Sequence, residues 1–294
     1  MGGQPGWGLA LALGGAVAFS AKAIIIKLAY RHAVDPATLI MLRMLIALPF
    51  FVGMAWWAGR GKPPLGRREL TAAAALGFCG YYLSSSLDFW GLQYISAGLE
   101  RLILYLTPAV VLLLSWWLFG RRASGRQLAA LLLGYGGIVL VFGHELGLEG
   151  PQVALGAALV MGSTLSYAVY LIYSGEWVRR IGAARLTGWA SSVASLLCLL
   201  QYAVLRPIDT VASVPEAVWW LSLVNGTVCT AAPVLMVMMA IERIGPSRTA
   251  QLGMVGPIST IVLGVWLLGE PFTAWLAAGT LCVLASVTLL ARSR

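Results

Sequence analysis

The chain has 294 residues, of which 60% are apolar and only 11% charged. A soluble domain carries about a quarter charged residues, so the excess apolar surface here must face something other than water. The net charge of +9 does not mark a nucleic-acid binder. The Lys and Arg residues sit mostly in short loops, where they set orientation in a bilayer.

Ten apolar segments are long enough to cross a bilayer: 8–30, 36–58, 70–90, 96–119, 127–143, 152–175, 184–205, 216–240, 246–269 and 274–291. The first seven residues hold no Lys or Arg, so the basic start of a secretory signal is missing and the first segment is expected to stay as a span. Lys22 lies well inside it, on one helical face with Gly15, Phe19 and Ile26. An ionisable group within a span is a functional candidate by default. Lys22 is either a cavity cation that meets a substrate carboxylate or a lysine paired with an acid for structure. On the first reading its removal spares the fold and abolishes transport. Lys27 is nearer the outer end and can snorkel.

Arg43 falls about two turns into the second span, with Asp88 and Glu100 as its expected partners and Arg101 beside Glu100. These four form either an outer gate or a static salt-bridge group. The third span carries Gly77, Tyr81, Ser84, Ser85 and Asp88 on one stripe, and the sixth carries Ser163, Ser166, Tyr167, Tyr170 and Ser174 at matching spacing. Small polar residues commonly join helices in membranes. The tyrosines ask for more, because a phenol at depth needs a hydroxyl partner and its ring can hold an ammonium. Tyr105 in the fourth span joins these substrate candidates. Asn225 and Thr230 in the eighth span and Gln251 in the ninth offer neutral hydrogen bonding that suits a zwitterion.

The fourth and ninth spans share a pattern. Aligned at one constant offset, Pro108 falls on Pro257, Ser96 on Gly245, Trp117 on Trp266 and Gly120 on Gly269. Each proline leaves the carbonyl four residues back, Leu104 or Gly253, short of its helical partner. In lipid that group needs protein or a wet cavity to receive it, so both helices are expected against an internal cavity. Gly77 matches Gly226 at that offset, and Gly8 and Gly14 match Gly156 and Gly162 at nearly the same one. The chain then divides into two five-span halves, 1–145 and 150–294. Five is odd, so the second half enters from the opposite side. The expected fold is an all-α membrane protein of ten transmembrane helices, two inverted five-helix repeats around a central cavity. Placing both termini in the cytoplasm puts fourteen Lys and Arg residues inside and leaves Arg31, Arg101 and Arg206 outside.

This layout, with the run Leu268–Leu290 (LGEPFTAWLAAGTLCVLASVTLL), resembles the EamA-type repeat of the drug/metabolite transporter superfamily over essentially the whole chain. Arg121 stands where the repeat usually has the glutamate that Glu270 supplies in the second half. Lys22 and the aromatic third span give the first half the look of the YddG-type exporters of aromatic amino acids. The resemblance implies a central cavity lined by the first four helices of each half. The expected function is export of aromatic and other neutral amino acids across the inner membrane by alternating access. The alternative is efflux of organic cations or another small metabolite. Cations would want an acid at depth, and no carboxylate reads as mid-span. For the same reason facilitated diffusion is expected rather than proton coupling. No H-E-x-x-H or G-x-S-x-G motif suggests an enzyme, and no cofactor or metal is expected. Cys79, Cys198, Cys229 and Cys282 lack ligand spacing. The expected partners are a small-molecule substrate and the lipid bilayer, and a monomer suffices. Ala278, Gly279 and Cys282 of the tenth span pack either on a partner or on their own neighbours.

Overall fold

The computed structural model describes residues 5–120, 124–244, 249, 252–253 and 255–292. Gln251, with Arg121, Arg122, Gly245, Arg248 and Arg294, lies outside the described residues. Among the described residues the secondary structure is helical, with no strand. The helices are α1 (Pro5–Tyr30), α2 (Pro36–Gly59), α3 (Arg67–Gly77), α4 (Ser84–Gly91), α5 (Ala97–Tyr105), α6 (Thr107–Phe119), α7 (Gly125–Glu149), α8 (Gln152–Ile181), α9 (Ala183–Leu205), α10 (Glu216–Gly226), α11 (Ala232–Ile244), α12 (Val255–Leu263) and α13 (Ala274–Arg292). Several starts are capped as their residues dictate. Asp35 accepts from the amides of Ala37 and Thr38 with Pro36 in the first turn, and Ser96 accepts from Leu99.

Three π-helical segments interrupt this series: Phe78–Leu83 between α3 and α4, Thr227–Ala231 between α10 and α11, and Gly264–Leu268 after α12. The first two begin at the same spacing as Pro108 and Pro257. Gly120 and Gly269, at that spacing too, end their helices with φ of 63° and 73°.

Among the described residues, seven helices are long and apolar enough to cross a membrane, and Val255–Leu268 and Ala274–Leu289 are shorter apolar stretches. Large apolar side chains cover the outside: Trp117 is 79% exposed, Trp266 78% and Leu132 77%. A surface of that kind is stable only against lipid. The protein is therefore a multi-pass membrane protein.

Packing pairs the helices in a reciprocal way. α2 runs along α9 and α7 along α13; α1 packs on α11 as α8 packs on α4; α3 packs on α9 as α10 packs on α2. The reciprocal seams of α3 on α9 and of α10 on α2 each need glycine. A side chain at Gly77 would run into the carbonyl of Ala190, and a Cβ at Gly226 would lie 2.9 Å from the carbonyl of Arg43. Between two readings of the tenth span, the structure favours the chain's own neighbours: Gly137 faces Gly279 and Cys282, and Ser286 donates to the carbonyl of Ala130 at 2.6 Å. Close backbone approach through small residues is the usual membrane substitute for a hydrophobic core.

The proline-freed carbonyls are received by protein, one of the two partners that the sequence left open. The Leu104 carbonyl accepts from the Thr107 hydroxyl at 2.6 Å, and the Gly253 carbonyl accepts from the Tyr105 hydroxyl. Protein hydroxyls satisfy both groups. Tyr105 thus ties the broken fourth span to the broken ninth. Tyr105→Phe will leave the Gly253 carbonyl orphaned and cost about 1–3 kcal/mol, read as a lower unfolding midpoint in detergent. An unchanged midpoint would mean that another donor serves Gly253.

Candidate functional site

The charged residues of the first four spans converge beside α1. Lys22 lies eight residues short of Tyr30, the end of α1, roughly 12 Å along the helix. Its ammonium donates to Asp88 Oδ2 at 2.6 Å and lies 3.7 Å from Glu100 Oε1. Asp88 is 2% exposed and Glu100 fully buried. Two carboxylates therefore sit at the depth of a lysine well inside its span, against the expectation that no acid lies there. They come from the last turn of α4 and the first turn of α5. The reason for preferring facilitated diffusion falls away with them.

Arg43 does not pair with Asp88 or Glu100 as expected. Lys22 has taken Asp88, and the Arg43 guanidinium instead gives its Nε–H to the Thr230 hydroxyl at 2.9 Å. It lies 5.3 Å from the centre of the Phe89 ring. Thr230 in turn donates to the carbonyl of Asn225 at 2.7 Å. The π segment at Thr227–Ala231 presents this hydroxyl, since the extra residue per turn frees a carbonyl and turns the side chain inward. Arg101 is 4.0 Å from Glu100, but its hydrogen bonds go to the Thr260 hydroxyl at 3.0 Å and the Phe19 carbonyl at 2.9 Å. Of the four residues expected to form a gate, Asp88 and Glu100 join Lys22, Arg43 turns to Thr230 in the second half of the chain, and Arg101 stays beside Glu100 while bonding Phe19 in the first half and Thr260 in the second.

This group holds three cations, Lys22, Arg43 and Arg101, against two carboxylates, Asp88 and Glu100. Several of its polar atoms are buried without a hydrogen bond: Arg43 Nη1 on the donor side, and Asp88 Oδ1, both oxygens of Glu100 and Asn225 Oδ1 on the acceptor side. Buried polar atoms are normally satisfied, so a cluster of exceptions calls for a ligand, an ion or water.

The stripe expected on the third span is split. The π segment at Phe78–Leu83 breaks the 3.6-residue register, and the residues beyond it face new neighbours. Gly77 meets α9, Ser84 meets Ser163 at 3.0 Å, and Asp88 meets Lys22. Ser85 is partly buried. Ser166 donates to the Cys79 carbonyl within the π segment at 2.7 Å, which is the joining role small residues commonly play. Tyr81, Tyr167 and Tyr170 do come together. The hydroxyls of Tyr81 and Tyr170 are 3.1 Å apart, the rings of Tyr167 and Tyr170 are stacked at 5.4 Å, and Tyr81 meets Tyr170 edge-on at 5.2 Å. They pack on one another and on Leu76, Ile181 and Leu186, so in this conformation they close a core rather than line an open chamber.

Sequence reasoning missed a set of contacts at the end of the molecule where α1 finishes. Glu270 accepts from the Ala97 amide at 2.9 Å and lies 3.8 Å from Lys27. Lys27 does not snorkel away; it donates to the Ile95 carbonyl at 2.7 Å. Glu145 accepts from the Ser96 hydroxyl and amide. Two carboxylates thus hold the positive start of α5. The only signal in the sequence was the glutamate after Gly269.

A profile of the EamA-like transporter family matches residues 6–143 and, a second time, residues 154–292. The chain belongs to the EamA-like transporter family. This EamA protein is 31% identical over 268 residues to the uncharacterized transporter YcbK of Bacillus subtilis (strain 168), covering 87% of this chain and 83% of that one. It is 24% identical over 258 residues to protein PecM of Dickeya dadantii (strain 3937), covering 86% and 84%. A solved crystal structure at 21% identity aligns over 97% of this chain and 98% of its own, with a TM-score of 0.63, a likeness of fold. Membership of the EamA-like family and the many large apolar side chains exposed on its helices make this chain a membrane transporter.

Proposed function

We propose that this chain exports neutral, chiefly aromatic, amino acids across the inner membrane by alternating access, with both termini in the cytoplasm. One observation carries the proposal: the unbonded atoms gathered around Lys22 come in both polarities. A zwitterion supplies both complements. Its carboxylate fits Arg43 Nη1 and the one cation in excess, and its ammonium fits Asp88 Oδ1, Glu100 and Asn225 Oδ1. Lys22 holds Asp88 in the present conformation and can exchange it for the substrate carboxylate. The tyrosine cluster is the place where an aromatic side chain would be received once the halves move.

The architecture proposed with it is ten spans in two inverted repeats, 1–145 and 150–294, around a central cavity. The doubled family match, the matched π segments and the reciprocal packing of α1 on α11 and α8 on α4 support it. The contacts at the two ends agree with ten crossings. Arg31 with Leu268, Lys27 with Ile95, Arg206 with Asp35 and Ser96 with Glu145 gather at one end. Arg185 with Pro63 lies at the other.

Efflux of organic cations is a second reading, and Asp88 and Glu100 favour it because they supply the acids at depth that the sequence had not shown. One assay separates the two. In liposomes holding only this protein, labelled phenylalanine is expected to cross several-fold faster than through empty liposomes, and an aromatic quaternary ammonium is not. The opposite pattern would replace amino acids by cations, and no flux of either would end both readings.

A further inference from the structure

A second charged site lies at the opposite end of the molecule from Glu270. Here a cavity of about 340 Å³ opens between the chain following α2 and the turn from α8 to α9. Lys62, Arg179, Arg180 and Arg185 line it, with Glu69 as the carboxylate among its walls. Glu69 accepts from the Gly66 amide at 2.8 Å and forms no ion pair with these cations among the described residues. Of the four cations only Arg180 has an ion-pair partner among the described residues, Glu176 at 2.5 Å. Arg185 is 8% exposed. It gives one hydrogen bond, to the Pro63 carbonyl at 2.8 Å, and its Nε is buried without any. α9 starts here on Gly182 with no side-chain cap, so the positive end of a 23-residue helix adds to the same field.

Four cations around one space repel each other, and holding a guanidinium nine-tenths buried without a carboxylate is unfavourable. A bound anion removes both costs. The aromatic side chains nearby say where such an anion comes from. Trp56 and Trp57 are 64% and 67% exposed on the last turn of α2, and Arg60 stacks on Trp56 at 3.9 Å. Exposed tryptophans of this kind sit at headgroup level, where a basic pocket between helices meets lipid phosphates. We propose that this cavity binds the phosphate of an anionic phospholipid. Lys62 belongs to one family match and Arg179 and Arg185 to the other, so the headgroup bridges the two halves of the transporter and favours the conformation in which this end is drawn together.

The test is thermal unfolding of the purified full chain in phosphatidylcholine nanodiscs, with or without phosphatidylglycerol. Lys62→Gln/Arg179→Gln is compared with wild type; it neutralises two exposed cations and leaves buried Arg185 in place. Phosphatidylglycerol is expected to raise the wild-type midpoint by about 2–4 °C and the double variant's by less than half of that. A parallel arm adds inorganic phosphate to phosphatidylcholine discs, with no shift expected. An equal shift in both proteins, or none in either, would overturn the site. A shift from inorganic phosphate equal to that from lipid would overturn the lipid assignment in favour of a soluble anion.

Discussion

Lys22→Ala will unfold well before wild type and will not transport. The substitution strands Asp88 and Glu100, two carboxylates almost wholly out of solvent, without the ammonium that lies 2.6 Å from one and 3.7 Å from the other. Removing one partner of a buried pair costs about 3–5 kcal/mol. Viewed as a free cavity cation, Lys22 had been expected to leave the fold intact when removed; its pairing reverses that expectation. Loss of transport in the single variant is thus ambiguous, and the double variant Lys22→Met/Asp88→Leu resolves it. Both charges disappear together, Glu100 keeps Arg101 at 4.0 Å, and apolar replacements of similar volume are tolerated in place of an ion pair. Most of the stability should return, measured by unfolding in detergent. Transport in liposomes should not return, since the exchange of Asp88 for a substrate carboxylate has lost both its members. Wild-type transport in the double variant would make the pair a structural brace.

The sequence carried the larger features well, because each rests on a one-dimensional signal. Apolar runs of about 20 residues read as membrane-crossing helices, and the run from Leu268 reads as an EamA-type segment. It also named the members of the charged group, since any ionisable residue within a span stands out. Who pairs with whom was not legible. Arg43, Lys22 and Arg101 are all cations of the first four spans, and only the packing in three dimensions decides that Lys22 takes Asp88. The stripe on the third span failed for a definite reason. A π segment shifts every later residue around the helix, and FCGYYL carries no proline or charge that would announce one. The carbonyls freed by the two prolines were identified correctly, but their partners were not. A hydroxyl from Tyr105, distant in sequence from Gly253, cannot be read from either segment alone.

The residue whose replacement should most cleanly separate function from folding is Arg43. It is 6% exposed, has no carboxylate within ion-pair distance among the described residues, and holds one hydrogen bond through Nε while Nη1 has none. Keeping such a charge buried is unfavourable for the folded state. Strain of that kind persists where function needs it. Arg43→Gln is therefore expected to leave the unfolding midpoint unchanged or raise it, the reverse of the Lys22 result. Transport should fall at the same time by about 10- to 100-fold, the equivalent of one charge-assisted hydrogen bond of about 1.5–3 kcal/mol to the substrate. Arg43→Lys keeps the charge but not the planar fork that reaches Thr230 and a carboxylate together, and it should recover only part of the transport. Thr230→Val removes only the partner of Nε and should have the mildest effect of the three. A destabilised Arg43→Gln that still moves substrate at the wild-type rate would place Arg43 in the scaffold, and the carboxylate of the substrate would then have to be met by Lys22 or Arg101.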